Sequence, residues 1–525
     1  MSRYRITFQQ EHVPESERLL VVPTGTRLDE ATVQAGFGLR THCDGAGTCG
    51  KCQLIVNGQK KFACQVTVES DLNVIVPLSS LRTEEHNIVI QTASSSAVCR
   101  LPSAVSKGYG IAVDIGTTTL AAELHDFSGK LPVQTVSCAN PQRKFGDDVM
   151  TRIRKVMEDA SALSVMQKLI VGAINEMTDE LTEQAGIRPN DVSAMVASGN
   201  TVMQSLLFGI DPSPLGESPF HAPVSEFPPR QGSEIGLNLS GTVEALPIFG
   251  GFVGGDIVAG MLALMTADGN EGKTVKNPLA SSAVCFLDIG TNGEIVLAHR
   301  GQPHQGKLST AATAAGPAFE GATIECGTIA VPGAIEHVQL ESGKLIVSTI
   351  GNQPAIGICG SGLLDAVAVL LEQGIIQPNG RFADKRSSFK LVSASASGIG
   401  EAIVLTQRDI RELQLAAGAI RAGITLLLQE NNVLPEQIEM FYVAGGFGQS
   451  IRLSSARRIG LLPALPAERF QFCGNTSLAG ARAVLLNPDN VQIARRLVQQ
   501  SHHCELAMLP QFQKVFAESM LWNIQ

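Results

Sequence analysis

Tyr109 to Leu124 reads Y-G-I-A-V-D-I-G-T-T-T-L-A-A-E-L, and Ala283 to Leu297 reads A-V-C-F-L-D-I-G-T-N-G-E-I-V-L. Each is an apolar run, an Asp-x-Gly-Thr turn and a second apolar run, which predicts strand, tight turn, strand. In the first copy Asp114 ends the strand, Gly116 makes the turn, and Thr117, Thr118 and Thr119 follow. In the second, Asp288, Gly290, Thr291, Asn292 and Gly293 repeat the arrangement. Such hairpins present backbone N–H groups and hydroxyls to phosphate oxygens, while the aspartate can hold the hydration shell of Mg2+. One copy is weak evidence, because many turns share it. Two copies in the same setting predict two similar half-domains closing on one nucleotide. A third element fits: Phe441–Val443 reads as a strand running into A-G-G-F-G, so that Gly445, Gly446, Phe447 and Gly448 would let a flat adenosine lie against the backbone. Phosphate and metal binding are thereby provided for, but no dedicated water-activating base stands out. Glu294 and Asp256 are the candidates, beside Asp114 and Asp288.

Toward the N-terminus the chemistry changes. Cys43, Cys49, Cys52 and Cys64 have the spacing C-x5-C-x2-C-x11-C in a glycine-rich loop. Four thiolates this close can hold one iron–sulfur cluster, and the glycines let the backbone wrap around inorganic sulfide. Plant-type ferredoxins carry a related spacing, which makes [2Fe–2S] the expected cluster. Zinc is the rival, since it also favours four-cysteine sites; zinc ribbons, however, usually show two C-x2-C pairs, and one is present. Around this loop, residues 3–8 and 18–22 read as strands, Leu28, Ala31 and Ala35 as a helix face, and 53–56 and 73–76 as strands with a turn at Asn57-Gly58. That order suits a small ferredoxin with a β-grasp core over residues 1–78. Residues 79–107 are polar and Ser-rich and read as a linker with one short strand at Ile88–Ile90.

The whole chain of 525 residues is too long for one core. Its 44% hydrophobic and 17% charged composition is ordinary for a folded soluble protein, and the net charge of -9 argues against nucleic acid as a partner. No apolar run reaches the length of a membrane span, and the first residues lack a secretory apolar region. Seven of the eleven cysteines are scattered singly, the pattern of reduced thiols, so cytoplasm is the expected compartment. Asp147 and Asp148 suit a helix start before the apolar stripe Val149, Ile153, Val156 and Met157. Glu320 lies in a glycine-flanked loop, Gly360 and Gly362 precede a helix, and Asp409–Leu428 is amphipathic. His502, His503 and Cys504 read as an ordinary segment, and Trp522 as a C-terminal anchor.

The motifs D-I-G-T-T-T, D-I-G-T-N-G-E and A-G-G-F-G resemble the first phosphate, second phosphate and adenosine motifs of the actin, sugar-kinase and heat-shock-chaperone (ASKHA) ATPases. Gly250–Gly260 and Asn475–Ala481 stand where that superfamily has its two connecting helices. With the cysteine-rich N-terminal region, the chain resembles the reductive activators of corrinoid-dependent methyltransferases. Asn140–Val149, Ser198–Met203, Ala314–Ala322, Ile358–Asp365 and Leu405–Ala416 add to that likeness.

The resemblance implies a multidomain α/β protein: a ferredoxin-like domain at 1–78, a linker at 79–107, a first ASKHA-like subdomain at 108–206 and a C-terminal ASKHA ATPase domain at 207–525, with duplicated ribonuclease-H-like halves. It implies ATP, Mg2+ and a [2Fe–2S] cluster as cofactors. It also implies an activity in which one electron passes to an inactive Co(II) corrinoid protein to restore Co(I), taken in turn from a ferredoxin or reductase. A homodimer is the candidate assembly. Two other readings stay open at this point, a small-molecule kinase with a regulatory cluster and a redox-sensing adaptor switched by nucleotide.

Overall fold

The computed structural model describes residues 2–11, 13–39, 51–77, 80–81, 108–129, 133–218, 220–266, 283–299, 308–446 and 450–522. At the N-terminus, β1 (Arg3–Gln10) and β2 (Val13–Pro23) form an antiparallel pair, followed by α1 (Leu28–Gln34). Then come β3 (Gln53–Val56), β4 (Gln59–Phe62) and β5 (Leu72–Val76), giving a sheet of order β2-β1-β5-β3-β4. The return of β5 to lie parallel with β1, Ile6 opposite Leu72, closes the sheet over α1. Ile6, Phe8, Leu28, Leu54 and Val74 fill the space between. Asn57 and Gly58, at φ 49° and 80°, make the tight β3–β4 turn, which needs left-handed backbone at both positions.

β4 was not expected. Its residues, Q-K-K-F, are all exposed and show no apolar alternation, so register with β3 alone defines it. The N-terminal unit also runs slightly past residue 78: Leu81 bridges to Leu39 and the Ser80 hydroxyl donates to the Gln53 carbonyl. The expected strand at Ile88–Ile90 and the tether lie outside the described residues.

The first Asp-Gly-Thr hairpin is β6 (Tyr109–Ile115) and β7 (Thr119–Asp126), continued by β8 (Gln134–Ala139). Next in the chain are α2 (Val149–Glu158), α3 (Ser161–Ala185), β9 (Val192–Gly199), α4 (Thr201–Phe208), β10 (Arg230–Gln231), β11 (Thr242–Ala245) and α5 (Gly255–Thr266). The sheet order is β10-β11-β9-β6-β7-β8. Asp148 caps α2, accepting from the Thr151 amide at 2.8 Å, as its place before the apolar stripe suggested.

The expected boundary between residues 206 and 207 is corrected by this sheet. β11 pairs with β9, Thr242 opposite Ala194, and Leu215, Phe227, Leu239 and Ile248 belong to the same core as Ile111 and Val113. A cut at 206 would expose that apolar face; the unit continues through β11 to Ile248.

The second hairpin is β12 (Ala283–Ile289) and β13 (Gly293–His299), followed by β14 (Leu308–Thr313). A side sheet of β15 (Ala334–Glu341), β16 (Lys344–Thr349) and β17 (Gly357–Ile358) leads into α6 (Gly360–Glu372). A short pair, β18 (Ser388–Val392) and β19 (Ile403–Thr406), precedes α7 (Gln407–Glu430). The chain then returns through β20 (Met440–Ala444), α8 (Leu453–Arg458), β21 (Phe470–Gly474), α9 (Thr476–Leu486), α10 (Asn490–Gln499), β22 (Ser501–His503) and α11 (Phe512–Ser519). This third sheet runs β21-β20-β12-β13-β14-β22.

The two large sheets share one plan. In each, an antiparallel hairpin and a third strand sit beside a parallel strand contributed from far along the chain: β9 against β6, and β20 against β12. Between the sheets lies a separate core in which Ala112, Ala121 and Val196 face Val284, Phe286 and Tyr442 across α5 and α9. Those helices cross at glycine. A Cβ on Gly480 would stand 2.2 Å from the Ala259 carbonyl oxygen, and one on Gly260 would stand 2.5 Å from the Phe286 ring.

Trp522 is 1% exposed, and its amide donates to the Pro378 carbonyl at 2.9 Å, which makes it the expected C-terminal anchor. No described helix is long and apolar enough to cross a membrane.

Candidate nucleotide cleft and cysteine pair

The repeated plan places the ends of both hairpins on opposite sides of one cleft of about 320 Å³. One wall carries Asp114, Gly116, Thr117, Thr118 and Thr119, and the other Asp288, Gly290, Thr291 and Asn292. Gly445 and Gly446 close one end, while Asp256 and Glu294 reach in from α5 and β13. Gly293 is buried in the turn behind them. Phe447 and Gly448 lie outside the described residues.

Two glycines are fixed by local geometry. A Cβ on Gly116 would stand 2.4 Å from the Thr119 carbonyl oxygen, so the first turn closes only without a side chain. Gly445 has φ 93°, and a Cβ there would stand 2.6 Å from the Ile289 carbonyl oxygen. The A-G-G turn therefore rests directly on the second hairpin.

Several residues without an assigned role on sequence grounds complete the site. Asn475 donates to Asp114 Oδ2 at 2.7 Å and the Ser477 hydroxyl to Oδ1 at 2.6 Å, so the start of α9 orients the first aspartate. Asn200 donates to Thr117 Oγ1 at 3.0 Å, and Asn140 to the Gly116 carbonyl at 2.9 Å. Arg152, wholly buried, donates to the Thr117 carbonyl at 2.6 Å and the Gly146 carbonyl at 3.0 Å. Burial lowers its pKa to about 10, and Asp147 partly offsets this. Glu320 accepts from the Thr291 hydroxyl at 2.7 Å and also lines the cleft, as do Gly360 and Ser361 at the start of α6. Asn200, Ser361, Asn475 and Ser477 come from segments rich in Asn, Ser and Gly. That composition fits turns everywhere, so only the fold shows which of them converge.

The electrostatics of the cleft are dominated by carboxylic acids. Burial raises the pKa of Asp114, against the hydrogen bonds from Ser477 and Asn475 that lower it. Burial and then the Asp114 charge push Asp288 up to about 7. Asp256 is held well above the ordinary range by burial, then by Asp288 and Asp114; Glu294 likewise by burial, then by Asp256 and Asp288. Like charges this close oppose one another's ionisation. A hard divalent cation with oxygen ligands relieves that opposition, so the donor set suits Mg2+. The hydroxyl-bearing turns suit phosphate, and three helix N-termini, of α5, α6 and α9, add favourable dipoles for an anion.

In the N-terminal unit, Cys52 and Cys64 are both buried, with sulfurs 3.3 Å apart. Cys52 precedes β3 and Cys64 sits in the turn after β4, so the β3–β4 hairpin brings together thiols twelve residues apart. This convergence fits two ligands of a metal–sulfur group. Cys43 and Cys49 lie outside the described residues. At the far end of the chain, His502 and His503 form β22 beside β14, with His503 Nδ1 3.1 Å from Thr310 Oγ1.

Residues 109–267 match the family model described as the RACo middle region, and residues 282–525 match that described as the C-terminal domain of RACo, the ASKHA domain. The boundary between the two falls after α5. The corrinoid activation enzyme RamQ of Eubacterium limosum is 32% identical over 435 residues, covering 79% of this chain and 70% of its own. The chain belongs to this family of corrinoid-protein activators. A second relative, the [Co(II) methylated amine-specific corrinoid protein] reductase of Methanosarcina barkeri, is 28% identical over 435 residues, covering 74% of this chain and 73% of its own. Among solved structures, a reductive activator for corrinoid, iron–sulfur protein superposes with a TM-score of 0.72 at 28% identity, covering 99% of this activator and 98% of that chain.

Proposed function

We propose that this activator uses ATP to deliver one electron to a corrinoid protein whose cobalt has fallen to Co(II), returning it to Co(I). The observation that carries the reading is the single cleft in which both Asp-Gly-Thr hairpins, the Gly445–Gly446 turn and five carboxylic acids meet, in a chain that also brings Cys52 and Cys64 together. The relatives' names, a corrinoid activation enzyme and a Co(II) corrinoid protein reductase, indicate the acceptor.

In this reading residues 1–81 are a ferredoxin-like domain in which Cys43, Cys49, Cys52 and Cys64 would hold a [2Fe–2S] cluster. Bound there, the cluster supplies a one-electron carrier. The Thr117–Thr119 and Thr291–Asn292 turns bind the phosphates of ATP, Asp114 and Asp288 hold the shell of Mg2+, and Gly445–Gly448 take the adenosine. Asn140, Asn200 and Arg152 fix the shape of the first turn. Burial and then the neighbouring carboxylates raise the pKa of Glu294 and Asp256 well above the ordinary carboxyl range, and with no dedicated water-activating base evident, turnover of ATP by the activator alone should be slow. ATP acts on electron delivery through its differential affinity for open and closed arrangements of the two halves. A ferredoxin or a reductase is the fitting electron source.

The test is anaerobic. Asp114→Ala and Asp288→Ala should keep the cluster's spectrum but fail to generate Co(I), read by absorbance, in a mixture with chemical reductant, corrinoid protein and ATP. Cys49→Ser should bind ATP and deliver no electron. Full Co(I) formation by both aspartate variants would leave ATP without a driving role and favour the nucleotide-switched adaptor instead.

A further inference from the structure

Lys51 immediately precedes Cys52, yet its side chain reaches out of the N-terminal domain into the ATPase. Its ammonium donates to the carbonyl oxygens of Ile324 and Glu325, the latter at 2.9 Å, and the residue is 7% exposed. The Glu325 amide in turn donates to Asp409 Oδ1 at 2.8 Å, tying this spot to the start of α7. Asp409 also feels the Lys51 charge.

The receiving segment, residues 316–328, has a second face. Phe319 and Glu320 line the nucleotide cleft, and Glu320 holds the Thr291 hydroxyl of the second phosphate turn. The segment is also stiff. A Cβ on Gly327 would stand 2.1 Å from the Gly321 carbonyl oxygen, and one on Gly321 would stand 2.6 Å from the Thr328 amide, so Gly321, next to Glu320, is pressed against residues 327 and 328. A shift at Glu320 is therefore passed to the carbonyls of Ile324 and Glu325 and not absorbed between them.

We propose that segment 316–328 is a docking site for the N-terminal domain, latched by Lys51, and that nucleotide in the cleft loosens the latch. The inference rests on the cleft being a nucleotide site. Phosphate bound at the second turn competes with Glu320 for the Thr291 hydroxyl, which frees Glu320 and with it the segment on which Lys51 rests. Two sites that share a stiff element bias each other equally, so the latch must weaken ATP binding as much as ATP weakens the latch. Lys51, and Cys52 beside it, then stay against the ATPase at rest and leave it when ATP arrives, free to approach a partner.

The experiment uses the full-length, cluster-loaded protein. ATP affinity is measured by calorimetry for the parent, Lys51→Met, Asp409→Asn and, on the exposed strand β4, Lys60→Met. Hydrogen exchange of the amides at 322–328 is followed with and without ATP. Lys51→Met should bind ATP about fivefold or more tightly, the lower end of ordinary coupling between sites. Its 322–328 amides should exchange without ATP as fast as the parent's do with it. Should Lys51→Met disturb the neighbouring cluster, Asp409→Asn tests the latch from the ATPase side and should shift affinity in the same direction, while Lys60→Met should match the parent. Equal affinities in all four proteins, with ATP-independent exchange at 322–328, would overturn the latch and leave the nucleotide site standing. Absence of ATP binding to the parent would overturn both.

Discussion

The crossing of α5 and α9 allows a prediction in which two effects of one methyl group compete. Gly480→Ala adds a Cβ in mid-helix, where alanine is favoured over glycine by about 1 kcal/mol. That Cβ would lie 2.2 Å from the Ala259 carbonyl oxygen, 2.4 Å from its Cα and 2.5 Å from its carbonyl carbon. All three are backbone atoms, so no rotamer change relieves the overlap; the helices must part by roughly 1 Å to restore ordinary contact, at an overpacking cost of about 1–3 kcal/mol. The steric term wins, and the thermal midpoint should fall by about 2–4 °C per kcal/mol of net loss for a domain of this size. Parting the helices also draws Asn475 and Ser477 away from Asp114, so ATP affinity should drop with it. Gly172→Ala in α3 is the control, for its Cβ would meet nothing within 4 Å. There the propensity gain stands alone, and stability should rise by about 0.5–1 kcal/mol. Both variants can be compared with the parent by scanning calorimetry, with nucleotide titration alongside. A midpoint for Gly480→Ala equal to or above the parent's would show that the crossing tolerates a side chain, and the reasoning from the close backbone approach would fail.

Binding of a bare divalent cation should strengthen with pH. Asp288 sits at about 7, and a proton must leave before a cation binds, so the apparent affinity for Mn2+ alone should be about tenfold higher at pH 8 than at pH 6. Titrating Mn2+ without nucleotide keeps phosphate protonation out of the comparison, and a flat profile would contradict the assignment. Arg152→Met should cost about 1–3 kcal/mol for each carbonyl left without its donor and weaken ATP binding, because the Thr117 and Gly146 carbonyls lose a buried partner while Asp147 keeps its ion pair with Arg143. Chemical denaturation and a nucleotide titration read the two effects separately.

What could be read from the sequence followed from how local the determinants were. The two Asp-Gly-Thr hairpins were legible because strand, turn and strand are contiguous, and their repetition announced the paired sheets. The helix start at Asp148 and the anchor at Trp522 were legible for the same local reason. β4 was not, since Gln59–Phe62 lacks the alternation that marks a half-buried strand and is held only by its register with β3. The boundary near residue 206 was misplaced because β11, four residues long, completes a sheet begun more than a hundred residues earlier. Asn475 and Ser477 illustrate the limit at the site. Their segment could be recognised, but their grip on Asp114, some 360 positions away, exists only once both halves have folded together.

The closeness of Cys52 and Cys64 has a consequence for handling the protein in air. In the proposed reading, where the pair ligates a [2Fe–2S] cluster, loss of iron and sulfide would leave two thiols whose sulfurs lie 3.3 Å apart in this structure, while a disulfide requires about 2.05 Å. Dioxygen, taking up the two electrons and two protons the thiols release, would close that gap with little backbone movement. The resulting bridge would occupy two ligand positions and bar iron from re-entry. Aerobically bleached protein should therefore recover its cluster only after a thiol reductant has reopened the bridge, and iron with sulfide alone should fail to restore it.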